Sequence, residues 1–179
     1  MMVFRHVDPR YPFLWESSTQ PPARWHGSGE GPVHYFADTP DGAWAELLRH
    51  EEIREPGDLA GISRALWTAE IPDQVDARPS LSESVLLGGQ ESYAECRAEA
   101  ARLRSLGLQG FRSPSAALLP NGARGWIVDG GLRPGPDRNG EVHVLFGHRP
   151  DLVGWTVVND GRPPEDLLQH VRHYVPKGG

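Results

Sequence analysis

Residues 33–50 read VHYFADTPDGAWAELLRH, and two hydrophobic periods follow one another within this stretch. Residues 33–37 alternate in character and are rich in β-formers, so they predict a strand. Thr39, Pro40 and Asp41 then supply an N-cap, a proline for the first helical position and an acid for the first turn. We therefore predict a helix over residues 40–54, directly after the strand.

The predicted helix is amphipathic. Its apolar side chains recur at steps of three and four residues, which places one face toward the core: Ala43, Trp44, Leu47 and Leu48. Glu51 and Glu52 are expected to stay in solvent. Glu46 borders the apolar face.

The rest of the chain predicts short strands and two further helices. Strand patterns occupy residues 3–7, 63–71, 110–112, 124–128, 142–146 and 153–158. One helix is predicted over residues 91–106, with Gly107 as a left-handed C-cap residue. Another starts at Pro163 and carries an apolar stripe of Leu167, Leu168, Val171 and Tyr174. Because there is no regular βαβ alternation, we predict an α+β fold with a mixed or antiparallel sheet and flanking helices.

The composition is that of one globular domain of 179 residues. A net charge of −6 argues against a nucleic-acid binder, which needs a basic surface. Cys96 is the only cysteine, so an internal disulfide and a Cys-based zinc site are excluded and a core thiol is expected. No segment approaches 18 apolar residues, and no signal peptide is recognisable, so we expect no membrane contact and a cytoplasmic location.

Several common catalytic signatures are absent. The chain has no GxGxxG, GxxxxGK, GxSxG or HExxH pattern, which argues against the Rossmann, P-loop, serine-hydrolase and zincin classes. His170 and His173 are better explained as a solvated helix end, so no metal is predicted. A glycosidase pair drawn from Glu46, Glu51 and Glu52 is disfavoured because adjacent helical acids point in different directions.

An ordered set of short motifs remains. In chain order they are Phe4-Arg5, Ala23-Arg24-Trp25-His26 followed by Gly29, residues 33–37, Ala43-Trp44-Ala45-Glu46, and Gly110-Phe111-Arg112-Ser113-Pro114-Ser115. In this order the chain resembles the RES family, named for its arginine, glutamate and serine, over about residues 3–146. The resemblance implies an ADP-ribosyltransferase-like fold and NAD degradation by hydrolysis or phosphorolysis. It makes residues 1–159 the NAD-binding catalytic domain, with residues 160–179 as a C-terminal helix and tail packed on it.

The resemblance implies catalytic roles for Arg24, Glu46 and Ser115, with Arg5 and Tyr35 completing the NAD-binding set. Nicotinamide leaves NAD as a neutral molecule, so one carboxylate, Glu46, suffices without a general acid. Arg24, and secondarily Arg5, would grip the pyrophosphate, while Tyr35 and Ser115 would stack on or orient the nicotinamide. NAD is then a consumed substrate rather than a cofactor, and phosphate is a candidate acceptor beside water. Taken singly, Tyr35 also fits a core strand position and Glu46 a solvated helix position.

Departures from the family pattern leave other functions open. His26 stands where the family usually has asparagine, residues 116–141 are unusually rich in glycine and proline, and residues 160–179 have no counterpart in the pattern. ADP-ribosyl transfer to a protein or small molecule, or a non-catalytic nucleotide-binding module, are the alternatives. Family members are typically toxins paired with Xre-type antitoxins, so such a partner is expected. Six tryptophans and the apolar C-terminal stripe are compatible with a homodimer.

Overall fold

A computed structural model describes residues 1–17, 19–72 and 75–175. The strands are β1 (Met2–Val7), β2 (Val33–Ala37), β3 (Arg64–Glu70), β4 (Gly110–Pro114), β5 (Trp126–Val128), β6 (Leu132–Pro134), β7 (Glu141–Phe146) and β8 (Gly154–Gly161). The α-helices are α1 (Pro40–His50), α2 (Glu83–Leu87) and α3 (Tyr93–Ser105), and 3-10 turns occupy Pro56–Gly61, Gln90–Ser92 and Glu165–His170.

Six strands form one sheet in the order β4-β7-β2-β1-β3-β8, and every neighbouring pair is antiparallel. The predicted α+β class with an antiparallel sheet and flanking helices is confirmed. β5 and β6 form a separate two-stranded hairpin whose residues are exposed, and the strand predicted over residues 124–128 begins only at Trp126.

Helix α1 lies against the centre of the sheet. The Thr39 hydroxyl accepts a hydrogen bond from the Gly42 amide at 3.0 Å, as expected of an N-cap. The predicted apolar face is buried, and Trp44 and Leu48 pack in one cluster with Leu66 of β3. Since α1 follows β2 directly and β2 pairs with β1, the chain brings Glu46 beside both strands.

Helix α1 ends at His50, four residues before the predicted end. The Glu52 amide donates to Arg49 O and the Ile53 amide to Leu48 O, which is a Schellman motif. Glu52 occupies its left-handed position with a φ of 52° although it is not glycine. The closing hydrogen bonds therefore end the helix where no glycine marks the stop.

Helix α3 covers the other half of the sheet. Cys96 and Leu103 are buried against Phe111 of β4 and Val144 of β7, which confirms a core position for the lone thiol. Gly107 follows the helix with a φ of 77°, as its predicted C-cap role requires.

The predicted C-terminal helix is wrong in length and type. Of the described residues after Arg162, only Glu165–His170 is helical, in a 3-10 turn, and Val171 instead pairs with Leu118 in an isolated antiparallel bridge. Residues 176–179 of the predicted tail lie outside the described ranges. The Arg172 amide donates to Ala117 O at 2.7 Å, so the chain runs on as an extended strap that reaches Tyr174. None of the helices in the described ranges is long and apolar enough to cross a membrane.

Candidate active site

A cavity of about 250 Å³ opens where β1, β2 and α1 meet the start of α3. Four of the five predicted site residues line it: Arg5, Arg24, Tyr35 and Glu46. The fifth, Ser115, lies directly behind Glu46, between the lining residues Pro114 and Ala116. The fold thus brings together side chains that lie up to 110 positions apart in the sequence.

The Glu46 carboxylate is held at both of its oxygens. The Ser115 hydroxyl donates to Oε1 at 3.5 Å, and the His50 ring nitrogen Nε2 lies 3.6 Å from Oε2, one helical turn further along α1. Ser115 is buried, and its Oγ also accepts the Ala117 amide at 3.2 Å. These contacts fix the direction in which the carboxylate faces the cavity.

The Arg5 guanidinium has two nitrogens without a hydrogen-bond partner in the described part of the chain. Among the described residues, no group hydrogen-bonds its Nε or Nη1, although both atoms are buried. The guanidinium lies over the Phe36 ring, 5.5 Å from its centroid. Burial lowers the pKa of Arg5 to about 10, so the group is still charged at neutral pH. An uncompensated buried cation of this kind calls for an anionic ligand.

Arg24 is already engaged with the protein. Its Nη1 donates toward Val85 O, Leu86 O and Ser92 Oγ at 3.2–3.3 Å, and its Nη2 donates to Gly88 O at 2.6 Å. The guanidinium also stacks 4.8 Å above the Tyr93 ring. Arg24 therefore ties α2 to the cavity wall, and a substrate oxygen would have to share protons that already have acceptors. Its grip on a pyrophosphate stays a prediction.

Tyr35 lines the cavity with its ring, but its hydroxyl is occupied. It accepts the Trp25 amide at 3.2 Å and lies 2.8 Å from His26 Nδ1. Burial raises the pKa of Tyr35 above its ordinary value. The Tyr35 hydroxyl is thus occupied by hydrogen bonds to the turn that carries Arg24, so only the ring face is available to a substrate.

His26 pins this same turn. It is fully buried, and its Nε2 lies 2.9 Å from Pro21 O, which as a carbonyl can only accept. Nε2 therefore carries the proton, and Nδ1 accepts from the Tyr35 hydroxyl. Burial lowers the pKa of His26, consistent with this neutral form. Histidine thus holds the turn at the position where the family pattern has asparagine.

Sequence analysis missed four residues of the site: His50, which contacts Glu46, and Arg49, Tyr93 and Tyr174. Arg49 is 2% exposed and donates to Ala116 O, to Arg172 O at 2.9 Å and to Gly88 O at 2.8 Å. Its position three residues after Glu46 on α1 could have identified it. Tyr93 and Tyr174 also line the cavity, and their hydroxyls lie 3.1 Å apart. No sequence pattern links these two tyrosines.

Positive charge collects around the cavity although the chain as a whole is acidic. Arg5, Arg24, Arg49 and Arg172 form no ion pair with any carboxylate in the described ranges. Burial, and then the charge of Arg49, lower the pKa of Arg172. Three of these guanidiniums, those of Arg5, Arg24 and Arg49, line the cavity beside a single lining carboxylate, Glu46, and this favours a ligand that carries negative charge and hydroxyl groups.

Comparison with known proteins yields matches of two kinds. The model of the family described as RES domain matches residues 3–128. Among solved structures, a chain of the M. tuberculosis MbcT-MbcA toxin-antitoxin complex matches with a TM-score of 0.58 and 17% sequence identity. That match covers 94% of this chain and 86% of the other, and at this identity it shows a shared fold. No curated protein matches the chain.

Proposed function

Because the chain belongs to the RES domain family, we propose that it cleaves NAD at the nicotinamide–ribose bond and serves as the toxin of a toxin–antitoxin pair. The observation that carries the proposal is the pairing of Arg5 and Glu46 across one cavity. Arg5 supplies two buried nitrogens without acceptors, and Glu46 supplies a fixed carboxylate. The NAD molecule offers a pyrophosphate to the first and a ribose to the second.

In this reaction Glu46 acts on the ribose of NAD. The bond between ribose C1″ and the pyridinium nitrogen breaks, the electron pair goes to that nitrogen, and neutral nicotinamide departs. The carboxylate stabilises the positive charge that develops on the ribose and accepts hydrogen bonds from its hydroxyls. Water or phosphate then forms the new bond at C1″, and water gives up one proton to solvent. Ser115 and His50 keep the carboxylate aimed at that carbon.

The remaining cavity groups bind and orient. Arg5 donates through Nε and Nη1 to pyrophosphate oxygens, which satisfies its buried charge. The Tyr35 ring supplies an aromatic face for nicotinamide. Arg24 and His26 have positioning roles. His26 holds the turn that carries Arg24, and Arg24 holds the segment around Gly88.

The test is chromatographic. The purified protein is incubated with NAD, with and without phosphate, and the reaction is analysed for nicotinamide, ADP-ribose and ADP-ribose 1″-phosphate. We expect release of nicotinamide that falls at least about 100-fold in Glu46→Gln, as for other losses of transition-state stabilisation. Glu51→Gln, an exposed acid near the same helix, is the matched control and should retain the wild-type rate.

Each result has one meaning. Release that depends on Glu46 supports NAD cleavage, and its dependence on phosphate identifies the acceptor. Label from NAD that ends on protein or on an added small molecule would favour ADP-ribosyl transfer instead. No release from folded protein, or equal rates in wild type and Glu46→Gln, would overturn the proposal.

The toxin role has its own test in cells. Expression of the wild-type chain in bacteria should deplete NAD and arrest growth, whereas Glu46→Gln should do neither. We further propose that an antitoxin protein covers the cavity, as expected for a toxin of such a pair. Co-purification with the product of a neighbouring gene, together with loss of NAD cleavage in that complex, would support this partner. An arrest that Glu46→Gln reproduces would contradict the enzymatic explanation.

A further inference from the structure

A second cavity of about 1100 Å³ lies next to the first. It is bounded by three residues of α2 (Glu83, Ser84 and Leu87), by residues 88–91 that follow this helix, and by residues 172–175 of the C-terminal strap. Two residues, Arg49 and Tyr174, line both cavities. The two spaces are therefore neighbours that share one wall.

The Tyr174 part of that wall is held by a small number of contacts. The Tyr174 hydroxyl bonds to the Tyr93 hydroxyl at 3.1 Å and lies 3.5 Å from His50 Nδ1. Its ring lies under the Arg49 guanidinium at 4.5 Å, and its carbonyl accepts from Arg54 at 2.9 Å. Val175, the next residue, is 88% exposed. Of the groups that hold the end of the strap, His50 and Arg54 are exposed, Tyr93 is half-buried and Arg49 is buried, while Val171 before it is buried in the core.

The first cavity is small for the substrate. Sites for drug-sized ligands range over about 300–1,000 Å³, and NAD is larger than most such ligands. A space of about 250 Å³ accommodates the nicotinamide ribose half of the molecule and leaves the adenosine half outside. The second cavity is the adjoining space that is large enough for that half.

We propose that the two cavities are the two halves of one dinucleotide cleft, and that Tyr174 is a latch that lifts when a dinucleotide binds. This inference rests on the proposed cleavage of NAD. Arg49 lines both cavities and has no carboxylate partner among the described residues, so it stands where the pyrophosphate, bound by Arg5 in the first cavity, leads into the second. In the second cavity Leu87 offers an apolar surface to adenine, and Glu83 offers an acceptor to the ribose hydroxyls.

A ligand that fits the first cavity alone gives the discriminating comparison. Affinities for NAD and for nicotinamide mononucleotide are measured by calorimetry in the Glu46→Gln background, where turnover does not interfere. Adding Tyr174→Phe removes the hydroxyl that bonds to Tyr93 and keeps the ring. Since opening then costs less, the Kd for NAD should fall about two- to tenfold, the range equivalent to one hydrogen bond, while the Kd for the mononucleotide stays unchanged. Tyr11→Phe, an exposed tyrosine remote from the cavities, is the control and should move neither Kd.

A second measurement does not depend on Glu46 or on turnover. Trypsin cleaves after Arg172 only when the strap is detached, and the product lacks residues 173–179 by intact mass. ADP-ribose should accelerate this cleavage in the wild-type chain because it spans both cavities, and ribose 5-phosphate should not. Protection of Arg172 by ADP-ribose would overturn the latch.

The outcomes separate this inference from the proposed function. Equal shifts for NAD and the mononucleotide, or no shift for either, would overturn the divided cleft even if the wild type releases nicotinamide. A selective shift for NAD in a protein that releases no nicotinamide would keep the cleft and overturn the reaction.

Discussion

His26 shows how one buried residue organises the site without touching the substrate. It accepts a hydrogen bond from the Tyr35 hydroxyl and donates one to Pro21 O, and its neighbour Trp25 donates to the same hydroxyl. Arg24 and Tyr35 are thereby fixed relative to each other. The role follows from the donor and acceptor capacity of a neutral imidazole in a place without solvent.

His26→Ala is expected to lower the free energy of unfolding by about 2–4 kcal/mol, since it leaves two buried polar groups without partners and a small void. Urea unfolding measures the loss. His26→Asn restores the residue usual in the family and should cost less than His26→Ala. Equal stability of His26→Ala and the wild type would show that the turn does not depend on this residue.

We predict that Ser115 acts on NAD cleavage through Glu46. Ser115→Ala removes the hydroxyl that lies 3.5 Å from Glu46 Oε1, so we expect kcat for NAD cleavage to fall about tenfold with a smaller change in KM. Steady-state kinetics on NAD measure both constants. Ser113→Ala, two residues earlier in β4 with its hydroxyl bonded to Pro114 O, is the control and should keep its kcat. A change in KM alone would assign Ser115 to binding.

At the scale of elements, α1 delivers three polar groups of the site. Glu46, Arg49 and His50 lie three and four residues apart, so one helix face brings a carboxylate, a guanidinium and an imidazole to the cavity. The rigid Schellman end at Glu52 fixes where this face stops. The positions of these three side chains therefore depend on the hydrogen bonds that end α1.

Because Glu52 has a left-handed backbone conformation, glycine at position 52 and glycine at position 51 should change the free energy of unfolding in opposite directions. Glu52→Gly relieves a strained φ of 52° and should raise the free energy of unfolding by about 0.5–1 kcal/mol. Glu51→Gly, where φ is −86°, adds only backbone freedom and should lower it by a similar amount. Thermal or urea unfolding of the wild type and of the two variants measures both changes. Changes of the same sign in both variants would contradict the assignment of strain to Glu52.

Across the whole molecule, burial lowers the pKa of five histidines, which makes stability depend on pH. Burial lowers the pKa of His6 to about 3, and also lowers the pKa values of His26, His34, His143 and His173. Each folded pKa lies below the unfolded value of about 6.5, so in the unfolded chain these groups bind protons first as the pH falls. Their contribution is fully present above pH 6.5 and is lost as the pH drops toward the folded values.

We therefore expect the melting temperature to fall between pH 7 and pH 5, with each neutral histidine adding up to about 1.4 kcal/mol per pH unit. Neither ring nitrogen of His143 has a partner in the described chain, and Glu141 and Arg112 act on it in opposite directions. His143→Met should flatten the profile by about one proton. A melting temperature independent of pH would refute the linkage.

The sequence by itself determined the elements with strong local signals and the ordered motifs that point to the RES family. The strand at residues 33–37, the start of α1 and the glycine stop after α3 follow from alternation, capping and left-handed φ, which are local properties. Arg5, Arg24, Tyr35, Glu46 and Ser115 were identified together because their motifs lie in a fixed order.

Only the tertiary structure decided where the donors of those residues point and what closes the cavity. Arg24 donates hydrogen bonds to backbone carbonyls, whereas two buried nitrogens of Arg5 have no acceptor among the described residues. The C-terminal stripe predicted as a helix forms a strap instead, because Val171 and Arg172 find hydrogen-bonding partners at residues 117 and 118. Such pairings join segments more than 50 positions apart, and a local pattern contains no information about which distant carbonyl will accept a given donor.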